Sequence, residues 1–215
     1  MRMIRSLSVL TYTAGILASL TCSPGQGGAS FSAYPLDTVG RVVPEDKPLP
    51  CARDAASYDG TKVRYRKPVR VNEHFKERLV QFETILEEVA VAHYGRSPAR
   101  IRHLGSYNCR RIRGWPDWIS EHGLANAVDI ESFEFNRVPR SARKKTARRL
   151  RKPFKVSVEK HWSPTSENIH ARFLRALTDR LIEEGTFRVM LGPGYNAGHK
   201  KHFHFDMSPY AFIKL

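Results

Sequence analysis

The apolar residues of this chain recur with two periodicities, one typical of helices and one typical of strands. Between residues 72 and 93 they recur every three or four positions, which is the spacing of one helix face. Asn72 is a suitable N-cap and Gly95 a suitable stop for this helix. A second helix is predicted over residues 166–184, with Gly185 ending it. The apolar positions of the two helices are Phe75, Leu79, Phe82, Ile85, Leu86, Val89 and Ala92, and then Ile169, Phe173, Leu174, Leu177 and Leu181.

Short segments with a period of two predict strands. In residues 127–131, Val128 and Ile130 fall on one face and Asp129 falls on the other. Helices and strands follow one another without the regular β–α–β order of a parallel sheet. We therefore expect an α+β fold, in which helices pack on a small antiparallel sheet. The predicted strands are 100–104, 127–131, 154–158 and 201–207.

The first 22 residues have the features of an export signal. Arg2 and Arg5 precede a mostly apolar run over residues 7–20, which is too short and too often interrupted by Ser and Thr for a membrane span. The cysteine at position 22 leaves a lipid anchor open, although the three residues before it are a poor lipid-attachment sequence. We expect export to the periplasm or the cell surface.

The next segment is rich in Gly, Ser and Pro, which predicts a flexible linker over residues 23–50. The folded domain is then expected over residues 51–215. An exported protein meets an oxidising compartment, where cysteines can pair. If Cys22 is removed or lipidated, Cys51 and Cys109 remain, and we expect a disulfide between them.

The chain is strongly basic, with a formal net charge of +15. Residues 137–155 contain ten basic residues and no acidic one. Three interpretations are open: a nucleic-acid patch, a contact with an anionic polymer of the cell envelope, or a solvated basic segment without a dedicated partner. Export favours the envelope over nucleic acid.

Two histidine-containing motifs carry the candidate chemistry. In residues 202–206 the period of two places His202, His204 and Asp206 on one strand face. His122 precedes Asp129 by seven positions, across small residues that allow the chain to fold back. Two imidazoles and a carboxylate can hold Zn²⁺ and leave a fourth position open for water. We expect a zinc site formed by His122, Asp129 and His204.

These motifs resemble a known family. The sequences SYNCR at 106–110, SEHGLANAVDI at 120–130 and LGPGYNAGHKKHFHFDM at 191–207 are similar to the bacterial extensin-like C-terminal domain family, over about residues 51–210. The pairing of H-x6-D with HxH also resembles the D-alanyl-D-alanine carboxypeptidases, lysostaphin-type endopeptidases and hedgehog domains. The resemblance implies a hedgehog-like or peptidase-like α+β fold, with the zinc site on the sheet face.

The resemblance also implies roles for individual residues. His122, Asp129 and His204 would be the zinc ligands, and His202 the unliganded histidine that acts on water or on the tetrahedral intermediate. Arg110 would hold a carboxylate or carbonyl oxygen of the substrate. The remaining candidates near the site or the substrate are Ser120, His199 and Asp206.

Three departures from the related enzymes stand out. Positions 200 and 201 are Lys, where the carboxypeptidases often have a catalytic Glu near the last ligand. Ala125 occupies a position where Gly is usual, and the cysteine expected within residues 181–185 is missing. Either His202 takes the role of the base, or the domain binds without cutting.

The expected function is that of an exported, zinc-dependent peptidase or amidase that acts on peptidoglycan peptides. The alternative is a non-catalytic, zinc-containing module that binds the cell envelope. The expected partners are peptidoglycan or another anionic envelope polymer, without nucleic acid, and a peripheral membrane contact or lipid anchor remains open. A monomer is expected. We further expect Glu121 to be a solvated carboxylate, and at least two of Trp115, Trp118 and Trp162 to pack in the core.

Overall fold

The structure is a computed structural model that describes residues 33–215, apart from the side chain of Lys145. The predicted export signal, Cys22 and the first part of the predicted linker lie outside the described residues. None of the helices that are described is long and apolar enough to cross a membrane.

The described chain is α+β, which confirms the predicted class. It contains three α-helices and ten strands, numbered here in chain order. The helices are α1 (Glu73–Tyr94), α2 (Val158–His161) and α3 (Ile169–Glu183). The strands are β1 (Ala56–Tyr58), β2 (Val69–Val71), β3 (Arg100–Gly105), β4 (Arg111–Ile112), β5 (Trp115–Ile119), β6 (Ala127–Phe135), β7 (Phe154–Ser157), β8 (Val189–Leu191), β9 (Phe203–Asp206) and β10 (Phe212–Lys214).

Helix α1 forms where the apolar spacing predicts it. The side chain of Asn72 accepts a hydrogen bond from the backbone N–H of Phe75 at 2.8 Å, and so satisfies one of the free donors of the first turn. Gly95 ends the helix in the left-handed region, at φ 67°, which glycine adopts without steric cost. The apolar face of this helix is buried in the main core.

The main sheet has six strands, in the order β10-β8-β9-β6-β3, with β7 also paired to β6. All pairs are antiparallel except β10 with β8, which are parallel. The predicted antiparallel sheet is therefore mixed. After β9 the chain reverses direction and forms β10 on the far edge of β8. Because β8 and β10 both run opposite to β9, they are parallel to each other.

The two faces of this sheet have different environments. Phe203 and Phe205 point to the helical side and are fully buried. There the ring of Phe205 contacts Phe82 of α1, and Phe133 of β6 contacts Phe173 of α3. His204 lies between the two phenylalanines in β9, and the strand period places it on the opposite face. The hydrophobic core thus fixes which residues are presented on the other side.

Residues 34–43 do not form a flexible linker. Tyr34, Arg41 and Val43 are each less than a tenth exposed, and Val43 packs with Ile119 and Leu124 in a small second core. The backbone N–H of Val43 donates a hydrogen bond to the carbonyl of Asp117, and the N–H of Ile119 donates one to the carbonyl of Arg41. The sequence predicted a linker here because the residues that hold this segment in place are few and isolated among Gly, Ser and Pro. Their partners gave no local signal, since they lie some 80 residues away in the sequence.

The disulfide between Cys51 and Cys109 is present, as predicted. It joins the start of the domain to the segment that follows β3, across 58 positions of sequence. Within the basic segment 137–155, Leu150 is buried, whereas most of the arginines and lysines with described side chains are exposed.

Candidate metal centre

Two neighbouring strands place Asp129 and His204 side by side. Strands β6 and β9 pair in antiparallel register, and Asp129 is directly opposite His204. Side chains at such positions have Cβ atoms about 5 Å apart. The carboxylate and the imidazole are therefore held close together by the paired strands alone, and no loop has to become ordered to bring them together. The site is therefore built on the central part of the sheet.

A tight turn brings His122 to the same place. His122 lies in a 3₁₀ turn, Glu121–Leu124, and the hydroxyl of Ser120 accepts a hydrogen bond from its backbone N–H at 3.3 Å. The turn ends at Ala125 in the left-handed region, at φ 52°. An alanine in this conformation costs roughly 1 kcal/mol, which a glycine at this position would not incur.

The three predicted ligand residues converge on one point. His122 Nε2 lies 3.2 Å from His204 Nδ1, and these two atoms lie 3.4 and 3.0 Å from Asp129 Oδ1. Donors bound at about 2.0–2.2 Å around a tetrahedral ion would be roughly 3.3–3.6 Å apart. The three distances in the structure are within a few tenths of an ångström of this range. Among the described residues, these three side chains form a group that could together hold an ion.

The orientation of both imidazoles is fixed from outside the triangle. The other nitrogen of His122, Nδ1, donates to the backbone carbonyl of Ser106, and the other nitrogen of His204, Nε2, donates to Asp206 Oδ2 at 2.7 Å. The inner nitrogen of each ring therefore faces the triangle and can offer a lone pair there once it carries no proton. Two such nitrogens and a carboxylate oxygen are ligands that zinc prefers, so the donor set fits a metal ion.

The charges of the site act strongly on one another. Burial favours the neutral form of Asp129, but the hydrogen bonds and charges of His122 and His204 outweigh it and hold the pKa of this carboxyl well below its ordinary value. Burial likewise opposes the charged form of His204, whereas Asp129 and Asp206 raise the pKa of this imidazole to about 10. The triangle thus holds a proton tightly when it holds no metal, and a metal ion would take the place of that proton.

Two further histidines border the triangle. His202 Nε2 lies 3.4 Å from Asp129 Oδ1, and His202 Nδ1 has no hydrogen-bond partner among the described residues. Burial lowers the pKa of His202, and the neighbouring imidazoles add to that effect. The ring of His199 lies 5.1 Å from that of His202, and its Nδ1 is 2.8 Å from the side chain of Asn196.

The triangle opens into a cleft of about 1130 Å³. Arg110 lies in the wall of this cleft and is exposed, so it is available to a ligand. Its neighbour Arg111 is engaged differently, because its guanidinium donates to five backbone carbonyls of residues 43–47 and 116. Trp115 and Trp118 also line the cleft, whereas Trp162 packs against Phe203, so the expectation that at least two of the three tryptophans pack in the core is wrong.

A buried network behind His122 was not predicted. Glu121 is 7% exposed rather than solvated, and its carboxylate accepts hydrogen bonds from Arg41 at 2.8 Å and from Asn126 at 2.6 Å. Tyr34 in turn donates to Asn126. Burial raises the pKa of Glu121, and the hydrogen bond from Arg41 opposes that shift. Arg41 and Tyr34 come from the segment that was predicted to be a linker, so their pairing with this turn had no local signal in the sequence.

Fold and site together define an α+β protein with a candidate metal centre of two histidines and one aspartate. The chain belongs to the family described as extensin-like protein C-terminus, whose model matches residues 50–214. This confirms the family that the motifs suggested. No curated protein and no solved structure matches the chain.

Proposed function

We propose that this protein is a zinc-dependent peptidase or amidase that acts on the peptides of peptidoglycan. The observation that carries the proposal is the triangle of His122, Asp129 and His204, in which three donor atoms lie 3.0–3.4 Å apart and both outer N–H groups are already engaged. An open cleft above the triangle gives a polymer access to it.

The chemistry assigned to the residues follows from their positions. Zinc held by His122, Asp129 and His204 would supply a Lewis acid that polarises a carbonyl and makes water a stronger acid. His202 lies beside the triangle and presents Nε2 to it, 3.4 Å from Asp129 Oδ1, so this nitrogen can accept a proton from water and return it to the leaving amine. Arg110 offers a planar pair of donors to a carbonyl or carboxylate oxygen of the substrate. Asp206 and Ser120 hold the ligand histidines in place.

The wider assignment rests on the resemblance. We infer membership of the superfamily of D-alanyl-D-alanine carboxypeptidases, lysostaphin-type endopeptidases and hedgehog domains, and a fold of that kind. Export, whether periplasmic or lipid-anchored at the cell surface, rests on the sequence of residues 1–22. The exposed basic residues of segment 137–155 support contact with an anionic envelope polymer.

A second candidate is a module that keeps the metal and cuts nothing. It is favoured by the lack of a free carboxylate beside the site among the described residues. The carboxylate of Glu121 already accepts hydrogen bonds from Arg41 and Asn126. Near the last ligand, where related carboxypeptidases carry an acid, this chain has Lys201, which pairs with Glu159 at 3.8 Å. Under this reading His202 would contribute to binding only.

Hydrolysis of purified peptidoglycan separates the two candidates. We expect the zinc-loaded protein to release new amino or carboxyl termini, measured by mass spectrometry of the soluble fragments. His204→Ala should abolish release because it removes a ligand, and His202→Ala should lower the rate by about 10²–10⁴-fold because it removes the proton acceptor.

The matched control is His74→Ala, which removes an exposed histidine of α1 and should leave the rate unchanged. If the zinc-loaded protein binds peptidoglycan but releases no fragments, the protein is the non-catalytic binding module and not a hydrolase. Equal rates for the parent protein and His202→Ala would exclude the role assigned to His202.

A further inference from the structure

The cleft above the candidate metal centre is lined by several exposed aromatic rings. Trp115 and Tyr210 are 61% and 57% exposed, and both contact the half-buried Trp118, at ring-centroid distances of 6.2 and 5.7 Å. Together these three residues are named here the aromatic wall. Each has a face or edge that no described residue of the core covers, and large exposed apolar surfaces of this kind mark binding sites.

A second pair of aromatic residues links the cleft to the metal centre. Tyr195 and Phe212 are about half exposed and contact each other at 5.7 Å. Tyr195 also contacts His199 at 5.2 Å, and His199 contacts His204 at 5.9 Å. Aromatic surface thus reaches from the solvent into the neighbourhood of the ligands, along a cleft large enough for several residues or sugar units of a polymer.

The available charge in the cleft is positive. Its acidic residues are all engaged: Glu121 by Arg41, Asp129 by the histidines, and Asp206 by His204 and the N–H of Ser208. Arg110 and Arg113 line the same cleft with exposed side chains, and neither forms an ion pair within the described residues. A ligand that fits must therefore combine flat apolar faces with anionic groups.

We propose that the aromatic wall is a subsite for the sugar rings of a glycan that carries carboxylates. A pyranose ring has an apolar face of C–H groups, which suits the electron-rich face of an indole or phenol ring. Its rim of hydroxyls and a carboxylate suits the guanidinium groups of Arg110 and Arg113. Apolar peptide side chains would match the rings but leave these arginines without partners.

The subsite deepens the proposed function, since it assigns the sugar chain of the polymer to the same cleft whose metal centre acts on the peptides. It predicts that the protein binds carbohydrate through residues that are separate from the ligands. A variant can therefore lose sugar binding and keep the metal ligands, or lose hydrolysis and keep sugar binding.

Isothermal titration calorimetry with two hexasaccharides tests the subsite. The hyaluronan hexasaccharide carries carboxylates, and the chitin hexasaccharide carries none. We expect both to bind, the carboxylated one more tightly. Trp115→Ala should weaken both by about tenfold, as should Tyr210→Ala, since each removes one stacking partner. Arg113→Gln should reduce only the preference for the carboxylated sugar.

Three controls define the outcome. Trp162→Phe changes a tryptophan packed against Phe203 outside the cleft, and Arg140→Gln removes an exposed charge of the basic segment; both should bind like the parent protein. His204→Ala should also keep its sugar binding, even though it hydrolyses nothing.

Absence of binding to both sugars would overturn the inference, and so would unchanged affinity in both aromatic variants. Equal affinity for the two sugars would overturn the assignment of a carboxylate. A peptide of apolar residues that binds through Trp115 where neither sugar does would replace the glycan with a peptide. Hydrolysis without sugar binding leaves the proposed function intact and removes only the subsite.

Discussion

The imidazole of His204 has a carboxylate at each of its nitrogens. Asp129 lies 3.0 Å from Nδ1 inside the triangle, and Asp206 lies 2.7 Å from Nε2 outside it. The outer carboxylate raises the basicity of the ring, and it would hold the proton on Nε2 when a metal ion replaces the proton on Nδ1. We therefore expect Asp206 to support metal binding by His204 without touching the ion itself.

This role can be measured on a single variant. We expect Asp206→Asn to weaken zinc binding by about 10–100-fold, because an amide is a poorer acceptor and no longer fixes the tautomer. Competition with a chromophoric chelator gives the affinity. Asp179→Asn, on the exposed face of α3, is the matched control and should bind zinc like the parent protein. An affinity equal to the parent's in Asp206→Asn would show that the outer carboxylate does not support the ligand.

At the residue scale the sequence pointed to the side chains of the triangle, and to Ser120 and Asp206 beside them, but not to every group that holds them. His122, Asp129 and His204 could be named because a strand period and a motif resemblance point to the same residues. The acceptor for His122 is the backbone carbonyl of Ser106, and a carbonyl leaves no trace in the residue types. The burial of Glu121 was missed for a related reason, since its partner Arg41 is 80 positions away.

At the scale of elements, strand β6 organises the molecule. It pairs with β3, β9 and β7, and its alternation places Val128 and Ile130 in the core and Asp129 in the site. Long, regularly patterned elements such as α1 and the start of β6 were predictable from spacing. Strands β8 and β10 were not, because three residues are too few to show a period.

The segment at residues 34–43 contributes an element-scale prediction. Arg41 and Glu121 are both less than a tenth exposed, so removal of the guanidinium leaves a buried carboxylate without its countercharge. We expect Arg41→Met to destabilise the fold by about 3–5 kcal/mol. Urea unfolding followed by circular dichroism measures this change.

The double variant Arg41→Met/Glu121→Gln is the control for that measurement. It removes both charges together, and it should recover a substantial part of the lost stability. A loss below about 1 kcal/mol for Arg41→Met alone, in the range of an exposed ion pair, would contradict a structural role for the segment.

At the scale of the whole molecule, the sheet separates packing from chemistry. Helices α1 and α3 cover one face with aromatic and aliphatic side chains, and the opposite face carries the triangle under the cleft. The family model begins at residue 50, yet Arg41 and Tyr34 lie before it and support the turn that carries His122. The folded unit of this chain thus begins before the first residue that the family model matches.

Metal analysis of the purified protein tests the central claim most directly. After loading with zinc and dialysis, inductively coupled plasma mass spectrometry should find about one zinc ion per chain, as for a single tetrahedral site. His122→Ala and His204→Ala should each retain almost none, whereas His74→Ala should retain the parent's amount. A parent protein that retains no metal, or ligand variants that retain as much as the parent, would contradict the account.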